Sequence, residues 1–416
     1  MCDFLKPEIL APAGDFERLY TAAEYGADAV YLGSDCFGMR TAAASFGGDD
    51  LKKACDYAHS KGVKVYLTCN TVPRNCELKR LPSFIEFAAQ SGVDAFIVTD
   101  IGVMGIAKKY APDVEIHIST QAGITNYAAA NAFYEMGAKR IVTARELSLD
   151  EIAEIRINTP KDLEIECFVH GAMCVSFSGR CLLSNYMTGR DSNRGDCAQP
   201  CRWRYSLLEE KRPSEYFEVE QDKTGTYIMN SKDMCLIEHI PELASAGISS
   251  FKIEGRAKSA YYTAVSVNAY RCAVDGYVAS GFSNNYKPEQ WIIDEVRKVS
   301  NRQYCTGFYF STPMDDAQIF YDGGYVREWD VAAIAEKWEN GVLYASQRNR
   351  FFEGDELEIM IKGKEPFKVT VKNLKNNNGE LIDNAPHPMM NLSFDCPIDV
   401  PAGAYLRMQR KSGVIL

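Results

Sequence analysis

Short apolar runs alternate with amphipathic stretches along roughly the first 260 residues. Each amphipathic stretch ends at a glycine, and a β-rich run follows, as at Gly26 before residues 29–33 and at Gly62 before residues 64–70. Glycine is the residue that most readily adopts the left-handed conformation that closes a helix. Repetition of this helix–glycine–strand unit predicts a parallel sheet covered by helices.

Eight such strands are predicted before the pattern changes. They span residues 9–12, 29–33, 64–70, 95–100, 115–120, 140–145, 164–170 and 250–255. Eight βα units over about 270 residues favour a closed (β/α)8, TIM-like barrel over an open doubly wound sheet. The last two strands are separated by a long insertion, about residues 172–249. It would lie at the carboxyl ends of the strands, where the active sites of such barrels are found.

A second pattern begins near residue 316, where short alternating runs are separated by turn residues, as in 341–344, 355–360, 367–371 and 404–408. Such runs predict a small all-β domain, which we expect to be a barrel. The sequence thus divides into a TIM-like barrel domain over residues 1–315 and a C-terminal β-barrel domain over residues 316–416.

Composition is that of an ordinary globular protein, with 46% hydrophobic and 25% charged residues. Neither a signal peptide nor an apolar run of the roughly 18 residues that a membrane span needs is found, so we expect a cytoplasmic protein without a membrane partner. The net charge of -10 argues against chain-wide affinity for nucleic acid. Residues 179–204 are locally basic, which suits either phosphate contacts or a solvated loop. Their arginines are Arg180, Arg190, Arg194, Arg202 and Arg204, against Asp191 and Asp196.

Cysteines are numerous, and the sequence contains 14 of them. In a reducing compartment clustered cysteines more often bind a metal or act in catalysis than form disulfides. One cluster has the spacing Cys174-x6-Cys181-x15-Cys197-x3-Cys201. Four thiolates suit a cubane iron–sulfur cluster, whereas structural zinc usually takes paired CxxC motifs. Spacing alone leaves a cluster, zinc and four unrelated buried thiols open.

Longer motifs surround these cysteines. Residues 166–184 have the sequence ECFVHGAMCVSFSGRCLLS, and shorter motifs are LAPAG at 10–14, STQ at 119–121, MNSKD at 229–233, FKIEGR at 251–256 and KSAYY at 258–262. Together they closely resemble the signature of peptidase family U32, the collagenase-like protease family. The motif GDCAQPCRW at 195–203 is most similar to the branch of that family involved in tRNA hydroxylation.

This resemblance implies a [4Fe–4S] cluster held by Cys174, Cys181, Cys197 and Cys201. It further implies oxygen-independent formation of 5-hydroxyuridine at the wobble position of tRNA. The hydroxylation would depend on prephenate or a related small-molecule hydroxyl donor, and a paralogous U32 subunit would be a possible partner. The alternatives are hydroxylation of ribosomal RNA or of a quinone precursor, peptidase activity, and a zinc-stabilised RNA-binding module.

Candidate catalytic residues lie where the barrel strands end. They are Glu166, His170, Lys252, Glu254 and Arg256. The last three alternate, which predicts one shared side of the final strand, either as a polar active-site mouth or as an internal ion-pair ladder. Arg256 or Arg145 would bind a donor carboxylate. His170 would shuttle protons near pH 7, although a structural histidine fits equally well.

Peptidase chemistry has weaker support, because neither a GxSxG nor an HExxH motif occurs. A Cys–His pair would need His170 beside a reactive thiol such as Cys174. For an RNA substrate, Tyr186 and Trp203 could stack on a base, although Trp203 packing over the cluster is an alternative. In the C-terminal domain Arg407, Arg410 and Lys411 suit either phosphate contacts or a solvated chain end.

Overall fold

The protein is described by a computed structural model. The described residues are 6–34, 37–38, 46–173, 181–192, 196–203, 221–222, 225–226, 232–310 and 326–410. Two compact units are present, Met1–Pro288 with Asn301–Tyr325 and Glu289–Ser300 with Val326–Leu416. The domain boundary predicted at residues 315 and 316 falls in 311–325, outside the described residues.

The first unit contains a mainly parallel sheet, the helices that cover it and a separate antiparallel pair of short strands. Its strands are β1 (Glu8–Pro12), β2 (Ala29–Gly33), β3 (Lys64–Cys69), β4 (Ala95–Val98), β5 (Glu115–Ile118), β6 (Arg140–Val142), β7 (Glu164–Ala172), β8 (Gln221–Asp222), β9 (Gly225–Thr226), β10 (Asp233–Cys235), β11 (Ser250–Ile253) and β12 (Tyr304–Cys305). Its helices are α1 (Phe16–Tyr25), α2 (Asp49–Ser60), α3 (Asn75–Leu78), α4 (Leu81–Gln90), α5 (Ile101–Tyr110), α6 (Tyr127–Glu135), α7 (Leu149–Ile157), α8 (Leu183–Thr188), α9 (Ile240–Ser245) and α10 (Ala260–Ala279).

Strands β1 to β7 and β11 form a closed parallel barrel. Each strand from β1 to β7 pairs with the next, and β11 closes the ring by pairing with both β7 and β1. The predicted TIM-like barrel is therefore confirmed. Of the helices in the described ranges, none combines the length and apolar character that a bilayer crossing requires.

Helix α1 illustrates why the repeating pattern folds this way. Asp15 caps its first turn by accepting a hydrogen bond from the backbone N–H of Arg18, and Gly26 ends it with a φ of 105°. That left-handed conformation is strained for any residue with a Cβ. The apolar face of the helix, including Leu19 and Ala22, is buried against the barrel wall.

The insertion is anchored by a small sheet at the carboxyl end of β7. Strand β10 pairs antiparallel with this end, placing Asp233 opposite Ala172 and Cys235 opposite His170, and β12 pairs parallel with β10. The chain therefore leaves β7 and returns through β10 at the same edge of the barrel. After β10, a 3-10 turn and α9 complete the helical layer before β11.

The second unit contains α11 (Gln290–Glu295) and a curled antiparallel sheet. Its strands are β13 (Trp329–Glu339), β14 (Val342–Gln347), β15 (Glu356–Met360), β16 (Phe367–Thr370), β17 (Lys375–Asn376), β18 (Asn391–Asp395) and β19 (Tyr405–Gln409). Their order is β16-β15-β19-β13-β14-β18-β17. Register shifts at two places in β13 let this long strand bend around one apolar core. The predicted all-β C-terminal domain is confirmed.

Arg407 lies inside this unit and not at a solvated chain end. Its guanidinium pairs with Glu295 on α11 at 2.5 Å and with Glu358 on β15, and all three side chains are buried or nearly so. Arg410 pairs with Asp330 at 2.8 Å. Both roles considered for Arg407, phosphate contact and solvated end, are therefore wrong, and Lys411 lies outside the described residues.

Candidate active site

An ion-pair ladder crosses the barrel interior. Lys252 Nζ on β11 lies 2.6 Å from Glu166 Oε1 on β7, and Arg140 Nη1 on β6 lies 3.1 Å from Glu166 Oε2. Arg140 also pairs with Glu8 at 2.6 Å. These side chains point inward because they occupy alternate positions of neighbouring strands.

The ladder keeps Glu166 ionised. Burial alone would raise the pKa of this carboxyl, but the charges of Lys252 and Arg140 hold it below its ordinary value. Lys252 Nζ is further enclosed by the rings of Tyr31 and Phe168, at 4.7 and 5.3 Å from their centroids. The structure thus brings the predicted residues Glu166 and Lys252 together as a buried ion pair, a contact that the predicted ladder of residues 252, 254 and 256 did not include. Glu166 is the third residue of β7, so it lies near the amino end of that strand and not at the carboxyl end as predicted. A catalytic role for either one stays a prediction.

Two buried arginines follow the carboxyl ends of barrel strands. Arg256, three residues after β11, donates from Nη1 to Thr68 Oγ1 on β3 at 3.3 Å. Gly33 on β2 makes room for it, because a Cβ there would lie 2.2 Å from Arg256 Nη1. Arg145, three residues after β6, donates to the carbonyl of Ala172 at 2.9 Å. Both guanidinium groups therefore lie at the end of the barrel where ligands bind in this fold.

Glu254 lies beyond the last strand. The register shifts between Lys252 and Ile253, and β11 ends at Ile253. The backbone N–H of Glu254 donates to the carbonyl of His170, and its carbonyl accepts from the hydroxyl of Tyr262. The predicted alternation of Lys252, Glu254 and Arg256 along one continuous strand is therefore wrong. All three side chains are nevertheless buried.

His170 is buried within a cage of tyrosines. Its ring centroid lies 5.9 Å from Tyr262 and 5.5 Å from Tyr270, both on α10, and 5.3 Å from Tyr304 on β12. Among the described residues neither ring nitrogen has a hydrogen-bond partner. Burial lowers the pKa of His170 to about 4, so the ring is neutral at pH 7. This pKa does not suit the predicted proton shuttle near pH 7, which favours the structural alternative.

A buried ion pair holds the base of the insertion. Asp233, the first residue of β10, accepts three hydrogen bonds from Arg302, from its backbone N–H at 3.1 Å and from Nε and Nη2 at 3.2 and 2.9 Å. Both side chains are buried. Sequence reasoning missed this pair and the tyrosine cage. Asp233 and Tyr262 do lie within the quoted motifs, but their partners are distant in sequence.

The cysteine lobe, residues 181–192 and 196–203, carries three of the four predicted ligands. Cys197 is exposed, Cys181 and Cys201 are half-buried, and Cys174 lies outside the described residues. The backbone N–H of Gln199 donates to Cys197 Sγ at 3.3 Å. Within the described part of the chain, no three Cys, His, Asp or Glu side chains are grouped as ligands of a metal ion.

The lobe fits a cluster in its donor chemistry. Three of the four proposed thiolate ligands lie within it, and N–H···S hydrogen bonds such as the one to Cys197 Sγ are among the contacts that tune iron–sulfur clusters. Burial raises the pKa of two cysteines outside the lobe, Cys55 and Cys167, to about 12. These two thiols therefore resist deprotonation, as buried structural cysteines do.

No Cys–His pair is formed by the described residues around His170. Cys235 is its cross-strand neighbour, yet neither imidazole nitrogen bonds to that sulfur. A neutral imidazole with a pKa near 4 is also a poor base for activating a thiol. The described geometry therefore gives no support to a cysteine peptidase built on His170.

Two family models match the chain. The model for peptidase family U32 matches residues 14–319, and the model for the peptidase family U32 C-terminal domain matches residues 327–407.

Proteins with similar sequences span most of the chain. The tRNA hydroxylation protein P1 of Bacillus subtilis is 36% identical over 391 residues, covering 94% of this chain and 92% of that protein. The tRNA hydroxylation protein P of Escherichia coli is 34% identical over 452 residues, covering 98% of each. A collagenase of Porphyromonas gingivalis is 34% identical over 331 residues, covering 77% of this chain and 78% of that protein.

Proposed function

Since this chain belongs to peptidase family U32 and resembles two tRNA hydroxylation proteins over nearly its whole length, we propose that it is an enzyme of tRNA hydroxylation. The resemblance predicted from the motifs is confirmed at the level of the family. The observation that carries the proposal is the extent of the similarity, because it includes both the barrel and the C-terminal domain. The collagenase covers less of the chain.

The finer proposal concerns the product and the cofactor. We expect 5-hydroxyuridine at the wobble position, formed without molecular oxygen. A [4Fe–4S] cluster would be held by Cys174, Cys181, Cys197 and Cys201. The presence of Cys181, Cys197 and Cys201 within one short lobe and the N–H bond to Cys197 Sγ support this donor set. Such a cluster supplies one-electron redox chemistry when bound.

The hydroxyl donor is proposed to be prephenate or a closely related dicarboxylate. Arg145 and Arg256 would bind its carboxylates, since a planar guanidinium binds a carboxylate through two parallel hydrogen bonds. Both lie buried at the carboxyl end of the barrel, where the field of a charge is poorly screened by water. The ladder below them, with Glu166 held ionised, would keep the floor of the barrel rigid while ligands exchange at the mouth.

Deletion of the gene, together with any paralogue, tests the proposal. Nucleoside mass spectrometry of tRNA from the deleted strain should show loss of 5-hydroxyuridine, and re-expression of the chain should restore it. Unchanged 5-hydroxyuridine would exclude the tRNA proposal. Loss of a hydroxylated base from ribosomal RNA, or loss of a quinone, would instead identify one of the alternative substrates.

A peptidase is the second candidate, favoured by the collagenase among the similar proteins. It requires an activated nucleophile, and the described residues offer none near His170. Cleavage of gelatin by the purified chain, lost on replacement of a single cysteine or serine, would support it. Absence of cleavage by a preparation that restores 5-hydroxyuridine would exclude it.

A further inference from the structure

Four large apolar side chains of the cysteine lobe are exposed to solvent. We call them the lobe surface: Leu182 (67% exposed), Tyr186 (90%), Met187 (42%) and Trp203 (43%). The other exposed large apolar side chains of the described residues are spread from residue 20 to residue 398. Single exposed apolar residues are normal in proteins, whereas a concentration of them commonly marks a binding surface.

Hydrogen bonds and contacts join the two halves of the lobe. The buried hydroxyl of Ser184 accepts a hydrogen bond from the N–H of Ala198 at 2.9 Å, which joins α8 to the second half of the lobe. Leu182 and Tyr186 are one helical turn apart, joined by a backbone bond, and so lie next to each other. Helix α8 also contacts the 3-10 turn Pro200–Arg202, which Trp203 directly follows.

The charge of this stretch suits a polyanion. Five arginines and two aspartates between residues 179 and 204 give it a formal charge of +3 in a chain of net charge -10. Arg190 is the arginine whose side chain is described, and it is half-exposed beside Asp196 at 2.8 Å. Single-stranded RNA is bound by this combination, cations for phosphates and flat side chains for unpaired bases.

We infer that the lobe surface binds an unpaired nucleobase of the RNA substrate, with Tyr186 and Trp203 as stacking partners. This inference rests on the proposed function, which supplies the RNA substrate. It adds the place on the protein where an unpaired loop of that RNA binds. A docked loop would lie on the same insertion that carries the candidate ligands Cys181, Cys197 and Cys201. Binding of a protein partner or of a second copy of this chain would explain the exposed aromatic side chains but not the local excess of arginine. A solvated loop would explain the charge but not the exposed aromatic side chains.

Binding of a labelled anticodon stem–loop RNA to the full chain, purified without oxygen, tests the inference by fluorescence anisotropy. We expect Tyr186→Ala and Trp203→Ala each to weaken binding by about 5- to 150-fold, the factor associated with one lost base–aromatic stack. Tyr186→Phe and Trp203→Phe should stay near the wild type, since they keep a stacking face. Tyr20→Ala removes a comparably exposed ring from α1 and should leave binding unchanged.

The outcomes separate this inference from the proposed function. If the wild-type chain binds the RNA and the alanine variants bind equally well, the lobe surface is not the docking site, and the function proposed above stands. If the wild-type chain binds no RNA, both fail. If the alanine variants change the oligomeric state in size-exclusion chromatography and not RNA binding, the surface is an interface between copies. Equal iron content and circular dichroism of all variants show that a loss of binding is not a loss of fold.

Discussion

The buried imidazole of His170 makes the barrel sensitive to acid. Its folded-state pKa is about 4, compared with an ordinary value of 6.5, because burial disfavours the imidazolium ion and Lys258 adds repulsion, while Asp233 partly opposes both. Between pH 6.5 and 4, His170 is therefore mostly protonated in the unfolded chain and mostly neutral in the folded chain. The stabilising contribution is fully present above pH 6.5 and is lost as the pH falls toward 4.

The size of the effect follows from these two values. At pH 5 the difference in proton binding lowers the free energy of unfolding by about 2 kcal/mol, whereas at pH 7.5 it has almost no effect. In His170→Phe, an aromatic ring of similar size fills the tyrosine cage and cannot be protonated. When the pH falls from 7.5 to 5, the free energy of unfolding of the variant should therefore decrease by about 2 kcal/mol less than that of the wild type.

Urea unfolding at both pH values measures this difference, with amide hydrogen exchange of peptides covering β7 reporting on the barrel itself. His387→Gln, which replaces an exposed histidine of the second unit, is the matched control and should behave like the wild type. If His170→Phe loses as much stability as the wild type between pH 7.5 and 5, the imidazole is not neutral and desolvated in the folded protein, and the reasoning is refuted.

Three further variants test other parts of the structure. Arg302→Met leaves the carboxylate of Asp233 buried without its cation and should lower the free energy of unfolding by about 3–5 kcal/mol, measured by urea unfolding; an unchanged midpoint would contradict the buried pair. Gly33→Ala places a methyl group 2.2 Å from Arg256 Nη1 and should weaken binding of the proposed donor, prephenate, in calorimetry without altering the circular dichroism spectrum; unchanged affinity would exclude Arg256 as the residue that binds this donor. Arg407→Met should destabilise the second unit by about 3–5 kcal/mol, so that the amides of β15 and β19 exchange hydrogen faster than in the wild type. Exchange rates equal to those of the wild type in these two strands would count against this prediction.

The barrel could be predicted because its determinants are local. Each strand and the helix before it have their own pattern of apolar residues, and a glycine such as Gly26 or Gly247 separates them. Closure of the ring follows from the number of strands. The partners of buried charged side chains could not be predicted in the same way. Arg407 pairs with a glutamate 112 residues away in sequence, whereas its position near the end of the chain suggested a side chain exposed to solvent.

Candidate site residues were predicted with mixed success for the same reason. Glu166 and Lys252 were singled out as candidates at strand ends, but the ion pair that joins them across neighbouring strands was not predicted. His170 was singled out by its position at the end of a predicted strand, whereas its tyrosine cage depends on α10 and β12. The pKa that decides its chemistry is a property of that cage and cannot be predicted from sequence.

The central claim is that the cysteine lobe supports tRNA hydroxylation, and complementation of the deletion strain tests it most directly. The measurement is the amount of 5-hydroxyuridine in tRNA, by nucleoside mass spectrometry, after expression of the wild-type chain, of Cys197→Ser, or of Cys76→Ser, which changes an exposed cysteine on α3. We predict restoration by the wild type and by Cys76→Ser, and none by Cys197→Ser at equal protein levels. Full restoration by Cys197→Ser would contradict the account.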